Sequence, residues 1–240
     1  MTVPSPLSEV RVDDCAGGGG DGRGWTGVSW SWRWDRPVRI ASSAVHGGGI
    51  GNRRWIANVT VEHNYGEPDP VTHAAAIAER FGHPVDGAVL MTALDVRRSL
   101  CARRDGVELQ GSVAIGAVCW AADVDSAGSV WRPGTVNLIA WVPEPLQDSA
   151  LLNVMTTVAE AKSQAFRDLG IPGTSTPSDA IAVACPISEP GEPGEHGRYG
   201  GPRSYWGSRV ARVVHRFVLD GVDADGARHG LDDDGSWRSL

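Results

Sequence analysis

A single layered α+β domain, with a mixed, largely antiparallel sheet and about three main helices packed on it, is the fold class that three observations predict. About eight segments carry strand patterns, and about three carry a helical period. Hairpin signals fall early in the chain. No G-x-G-x-x-G follows a strand and no P-loop occurs, which weakens nucleotide binding as the primary chemistry. The 240 residues, 41% of them apolar, suffice for one sizeable core.

Residues 1–24 carry Ser, Pro, Asp and the run Gly17–Gly20, offer little to bury, and read as a flexible leader. Trp30, Trp32 and Trp34 alternate with Ser31 and Arg33, the period of a strand with one apolar face. Those tryptophans cover a core or line a flat ligand. Asp35-Arg36-Pro37 reads as a turn and Val38–Val45 as the returning strand. His46-Gly47-Gly48-Gly49-Ile50-Gly51 can take positive φ and bring backbone N–H groups close to a ligand. It is poor support for a lipase-type oxyanion hole, because no G-x-S-x-G is present to supply the nucleophile.

Arg53–Val61 reads as a strand, Val71–Phe81 as a short helix and Ala88–Thr92 as a short apolar strand. Arg98–Arg103 and Glu108–Ala117 form a hairpin around Asp105-Gly106, and Asp123–Trp131 a loop. Thr135–Val142 is the most apolar strand. Asn137 interrupts it, and a buried amide must bond either to a neighbouring loop or to a ligand.

A long helix starts at Asp148, its expected N-cap, and stops at Gly170, with Pro172 preventing continuation. A Gly/Thr/Ser/Pro loop leads to a buried strand over Ala180–Ala184. Pro186–Gly201 has five glycines, three prolines and no apolar period, so it is a mobile loop over a site or a disordered insertion. Pro202 suits the first residue of a helix reaching Leu219. The layered domain therefore covers residues 25–220, with an acidic, disordered tail over 221–240.

A net charge of -7 without a Lys/Arg-rich run argues against nucleic acid. The four cysteines lack zinc spacing and read as reduced thiols, and no H-E-x-x-H or close His/Asp set suggests a metal. No signal peptide or membrane-spanning stretch is apparent, which makes the cytoplasm the default location. The sequence gives no oligomeric state.

Lys162 is the only lysine among 22 basic residues, and helical spacing puts it on the apolar face formed by Leu151, Val154, Val158 and Phe166. A buried ammonium must be paired. It either serves a site, where a compact charge does what a guanidinium cannot, or it snorkels or pairs structurally with Asp179.

Glu160-Ala161-Lys162, Gln164-Ala165, Gly173-Thr174 and Ser178-Asp179-Ala180 resemble the adenosylcobinamide amidohydrolase (CbiZ-type) family. So do Ser42-Ser43-Ala44 with Gly47-Gly48, Gly134-Thr135-Val136-Asn137, and Gly201-Pro202 with Gly207. These pieces cover about Val38 to Val218 in order. His46 stands where the family usually has Asn.

The resemblance implies hydrolysis of the amide between aminopropanol and the corrin propionyl side chain, turning adenosylcobinamide into adenosylcobyric acid. The corrinoid is then the substrate, and no cofactor or metal is required. Under this reading Lys162 stabilises charge or moves a proton, and Asp179 is its carboxylate or the general base. Ser43, or less favourably Ser42, is the candidate nucleophile. Thr174 and Thr176 hold the propionyl oxygen; His46, Gly47, Gly48 and Asn137 border the substrate, and Glu160 either borders a second face of the site or anchors a loop. Glu160, two residues from Lys162, cannot face it on a straight helix. Replacing Lys162 by Met is expected to abolish turnover with little loss of stability. Two other classes stay open: a non-catalytic corrinoid carrier or sensor, and a threonine hydrolase that cleaves itself before Thr174.

Overall fold

The computed structural model describes residues 5–13, 27–63, 65–123, 134–188 and 192–229. Among them are eight strands: β1 (Leu7–Asp13), β2 (Gly27–Ser42), β3 (Gly49–Thr60), β4 (Gly87–Thr92), β5 (Leu100–Arg104), β6 (Val107–Ala114), β7 (Thr135–Trp141) and β8 (Ala180–Cys185). Three α-helices accompany them: α1 (Pro70–Arg80), α2 (Asp148–Asp168) and α3 (Tyr205–His229). The strands form one mixed sheet in the order β4-β3-β2-β8-β7-β6-β5, with β1 added to β2. Only β3/β4 and β7/β8 pair in parallel. The α+β layered architecture follows directly. No helix among the described residues is long and apolar enough to cross a membrane.

Alternation along the strands sets three apolar layers. Leu138, Ala140 and Val183 face α2 and α3, packing on Val154, Val158, Phe166, Val214 and Phe217. Ile139, Trp141, Ala182 and Ala184 point the other way, where Trp32, Trp34, Ile56 and Leu90 meet them. The β2–β3–β4 wing therefore folds over the β8–β7 wing. Its outer face, with Trp55, Ala57 and Val89, is covered by Ile77 and Phe81 from the α1 region. Of the alternating tryptophans, Trp32 and Trp34 are core, Trp34 lying 5.6 Å from Trp141, and Trp30 is half-buried.

Asp35-Arg36-Pro37 does not turn the chain. β2 runs through it as a single strand of 16 residues, and its register with β3 shifts between Arg33 and Val38. A proline lacks the N–H that a regular ladder needs, so it sits where the ladder is irregular. The expected leader also holds structure. Leu7–Asp13 pairs antiparallel with Gly27–Arg33, because the long free edge of β2 supplies backbone partners to a segment that itself alternates. The remainder of the leader, and most of the Asp123–Trp131 loop, lie outside the described residues.

Three helix ends also differ from expectation. Asp148 is the first helical residue of α2 and not its cap; its carboxylate instead takes a two-pronged contact from Arg39, at 2.8 and 2.6 Å. That guanidinium holds the Asp148 carboxyl below its usual range. α3 starts at Tyr205, since the Ser204 hydroxyl accepts the Gly207 N–H at 3.0 Å and caps the helix better than Pro202 could. At its other end α3 continues to His229, so residues 221–229 of the expected tail are helical; residues 230–240 lie outside the described set. The Gly170 stop, at φ 71°, is as expected.

Residues 192–201 are neither a cover for the Lys162 region nor without contacts. Gly194 N–H bonds Pro145 O and Gln147 N–H bonds Gly197 O, while Thr157 donates to Gly200 O. A Cβ on Gly200 would overlap the Ala150 carbonyl. The segment packs on the N-terminal half of α2.

Candidate active site

β7 and β8 run parallel to each other and antiparallel to β2. The start of β7, the start of β8 and the end of β2 therefore lie at one end of the sheet. Three connections gather there: β2–β3 (residues 43–48), the described part of β6–β7 (residues 115–123), and α2–β8 (residues 169–179). The second half of α2 packs over them. Most of the residues singled out by sequence fall in this cluster.

Lys162 is buried, 4% exposed, on the core-facing side of α2. Its ammonium pairs with Asp179 Oδ2 and lies 5.9 Å from the centre of the Phe166 ring. Asp179 is held from every side. Its Oδ1 accepts the Val136 N–H at 2.8 Å and the Thr176 hydroxyl; its Oδ2 accepts the Thr176 N–H at 3.2 Å and the Lys162 ammonium. A carboxylate has about four lone-pair sites, and all are engaged. Thr176, 3% exposed, is thereby committed to Asp179. One ion pair thus ties α2, the α2–β8 loop and the start of β7 together.

Ser43 is exposed and extends the β2/β8 ladder by one pair. Its N–H bonds Ile181 O at 2.9 Å, and its Oγ accepts the Ile181 N–H at 3.0 Å. Ser42 is buried, its Oγ accepting the Ala44 N–H. His46 is half-buried, and its carbonyl accepts the Val89 N–H at 3.0 Å, so the loop bridges the ladder at β8 and the free edge of β4. Gly47, at φ 68°, passes so close that a Cβ would overlap the Gly87 carbonyl, and its own carbonyl accepts from Arg53 at 3.1 and 3.2 Å. A Cβ on Gly48 would overlap the Ala44 carbonyl. These glycines allow close backbone packing.

Asn137 is fully buried, and its amide is satisfied inside the protein: it donates to Asn58 Oδ1 and Met91 O and accepts the Ala180 N–H. It ties the two wings of the sheet together. Thr174 is fixed in place: its hydroxyl accepts the Ala121 N–H, and its carbonyl accepts from Ser163 Oγ at 3.0 Å. Glu160 is exposed on α2, away from the buried Lys162. The sequence gives no role to Ser163 or, beyond its place in the family motif, to Ser178. Ser178 donates to Gly134 O at 3.1 Å and meets the Thr135 hydroxyl at 2.8 Å. Its place beside Asp179 was the available signal. Among the described residues no three His, Cys, Asp or Glu side chains are arranged to hold a metal ion.

Residues 26–230 match the family model described as CbiZ, adenosylcobinamide amidohydrolase. An adenosylcobinamide amidohydrolase from Halobacterium salinarum is 38% identical over 112 residues, covering 42% of this chain and 46% of that protein, so the match spans about half of the relative's length. Among solved structures, the L-aminopeptidase D-Ala-esterase/amidase of Ochrobactrum anthropi, described as a variant of the Ntn hydrolase fold, is a distant likeness. It has 10% identity and a TM-score of 0.42 over 90% of this chain and 83% of that one.

Proposed function

The chain belongs to the adenosylcobinamide amidohydrolase family, and from that premise we propose that it hydrolyses the amide joining aminopropanol to the corrin propionyl side chain, converting adenosylcobinamide into adenosylcobyric acid in corrinoid salvage. The observation that carries the reading is the family match over residues 26–230, within which Ser43, Lys162 and Asp179 belong to elements that meet at one end of the sheet.

Amide hydrolysis needs a nucleophile, a means of stabilising the tetrahedral oxyanion and an acid for the leaving amine. Ser43 fits the first need, because its hydroxyl is exposed and held by the Ile181 N–H, which also favours a developing alkoxide. In this scheme Ser43 Oγ attacks the amide carbonyl and gives its proton to a base. Aminopropanol leaves with that proton, and water then hydrolyses the ester to free the carboxylate. Within the β2–β3 loop, His46 is the side chain placed to serve as that base. Asp179 has no free lone pair and is a poor base. The buried Lys162–Asp179 pair instead positions the loop on which the substrate rests.

The test is incubation of the full chain with adenosylcobinamide, with and without chelator, followed by mass spectrometry of the corrinoid. Conversion to adenosylcobyric acid with release of aminopropanol, reduced by about 10²-fold or more in Ser43→Ala, is the expected result. Unchanged cobinamide co-eluting with the protein would replace catalysis by carriage. Full turnover by Ser43→Ala would remove the covalent route.

A further inference from the structure

Trp120 is 53% exposed, whereas Trp32, Trp34, Trp55, Trp141 and Trp206 are buried and Trp30 is half-buried. An indole left in water forgoes the burial that those five tryptophans gain, so its support is informative. That support is rigid. A Cβ on Gly134 would come within 2.6 Å of the Ala117 nitrogen, and one on Gly173 within 2.9 Å of the Cys119 oxygen. Backbone passes on both sides at distances that glycine permits.

Hydrogen bonds fix the rest. Cys119 N–H donates to Ser175 O at 2.8 Å, Thr174 N–H to Cys119 O at 2.9 Å, Ala121 N–H to Thr174 Oγ1 at 3.2 Å, and Asp123 N–H to Trp120 O at 3.2 Å. Thr174 in turn accepts from Ser163, the neighbour of Lys162. The backbone on either side of the exposed ring is therefore hydrogen-bonded to the α2–β8 loop that the Lys162–Asp179 pair anchors.

Resting on the proposed corrinoid reaction, we infer that Trp120 is the platform against which the corrin macrocycle packs while its aminopropanol arm reaches the Ser43 loop. A broad, largely apolar ring system gains contact area from an indole whose backbone is already ordered, and little conformational freedom is lost on binding.

The experiment compares wild type, Trp120→Ala and Trp120→Phe, each as the full chain. It reads steady-state hydrolysis of adenosylcobinamide, the Kd for dicyanocobinamide from its visible spectrum, and Tm. Trp120→Ala should raise KM and Kd about tenfold, with kcat within about twofold and Tm unchanged, and Trp120→Phe should recover most of the affinity. Wild-type binding with unaltered KM and Kd in Trp120→Ala would overturn the platform and leave the proposed reaction standing. A dicyanocobinamide Kd that Trp120→Ala leaves unchanged while KM for the adenosylated substrate rises would also overturn it, since the indole would then contact the adenosyl group. A wild type that neither binds nor converts a corrinoid would overturn both.

Discussion

Replacing Lys162 by Met should destabilise the fold by about 3 kcal/mol, contrary to the small loss that sequence reasoning expects. The two side chains are 5% and 10% exposed, so neither charge is rehydrated when its partner is removed. In Lys162→Met the Asp179 carboxylate keeps three donors: the Val136 N–H, the Thr176 N–H and the Thr176 hydroxyl. It loses its cation. Breaking a buried pair from one side typically costs about 3–5 kcal/mol, and the three remaining donors place this case at the lower end. Adding Asp179→Asn removes the stranded charge. The double variant should therefore lose less than the sum of the two single losses, with a coupling of about 1–3 kcal/mol. Urea unfolding followed by tryptophan fluorescence, run on all four members of the cycle, measures this. A loss below about 1 kcal/mol in Lys162→Met, or additivity within about 0.5 kcal/mol, would refute the structural importance of the pair. A domain of ordinary stability, about 5–15 kcal/mol, stays folded at 25 °C after such a loss, so turnover can be assayed in the same variant.

Acid sensitivity should come from His83, which stacks on Trp55 at 4.4 Å and whose pKa burial pushes down to about 4, with Arg33 and Arg11 adding to the shift. The unfolded chain, near 6.5, then binds the proton more readily, so stability falls as pH drops from about 6.5 to 4, by at most about 3 kcal/mol, and is flat above; equal stability at pH 4 and 7, or a fall that persists in His83→Phe, would exclude this origin. Gly47→Ala should lower stability by about 2–3 kcal/mol and Tm by about 2–4 °C for each, because a Cβ has no room against Gly87 and φ is 68°; an unchanged Tm with lost activity would restore a direct ligand role for Gly47. Asn137→Leu should cost about 2–4 kcal/mol by stranding the Asn58 amide oxygen and the Ala180 N–H, and a melting curve overlying wild type would show those groups to be satisfied otherwise.

The sheet's eight strands were foreseen as a number but not in full as objects. The Trp30–Trp34 segment and the Val38–Val45 segment are one strand, and the missing strand is Leu7–Asp13. Asp-Arg-Pro has the local chemistry of a turn, and whether such a tripeptide turns or bulges depends on β3 being long enough to pair across it, which is a tertiary fact. β1 has little to bury by itself, and it exists because β2 offers it an edge. Elements whose own periodicity is strong, such as α2 and β7, are legible in full length or nearly so.

For the site, residue type and spacing identified the right neighbourhood and left each residue's task open. A lone lysine on an apolar helical face must have a partner, and Asp179 was readable as that partner. That Asp179 would have all its acceptor sites filled was not readable, because Val136 lies 43 residues away in sequence and reaches it only through the parallel pairing of β7 with β8. The same distance problem hides the partners of Asn137 and Thr174, whose amide and hydroxyl bond to Met91, Asn58 and Ala121. A polar side chain can serve a ligand only with the valences that the fold has not already used. Counting those valences fills every acceptor site of Asp179 and commits the Thr176 O–H, while the Thr174 O–H, the exposed Ser43 hydroxyl and the exposed Trp120 ring keep something to offer.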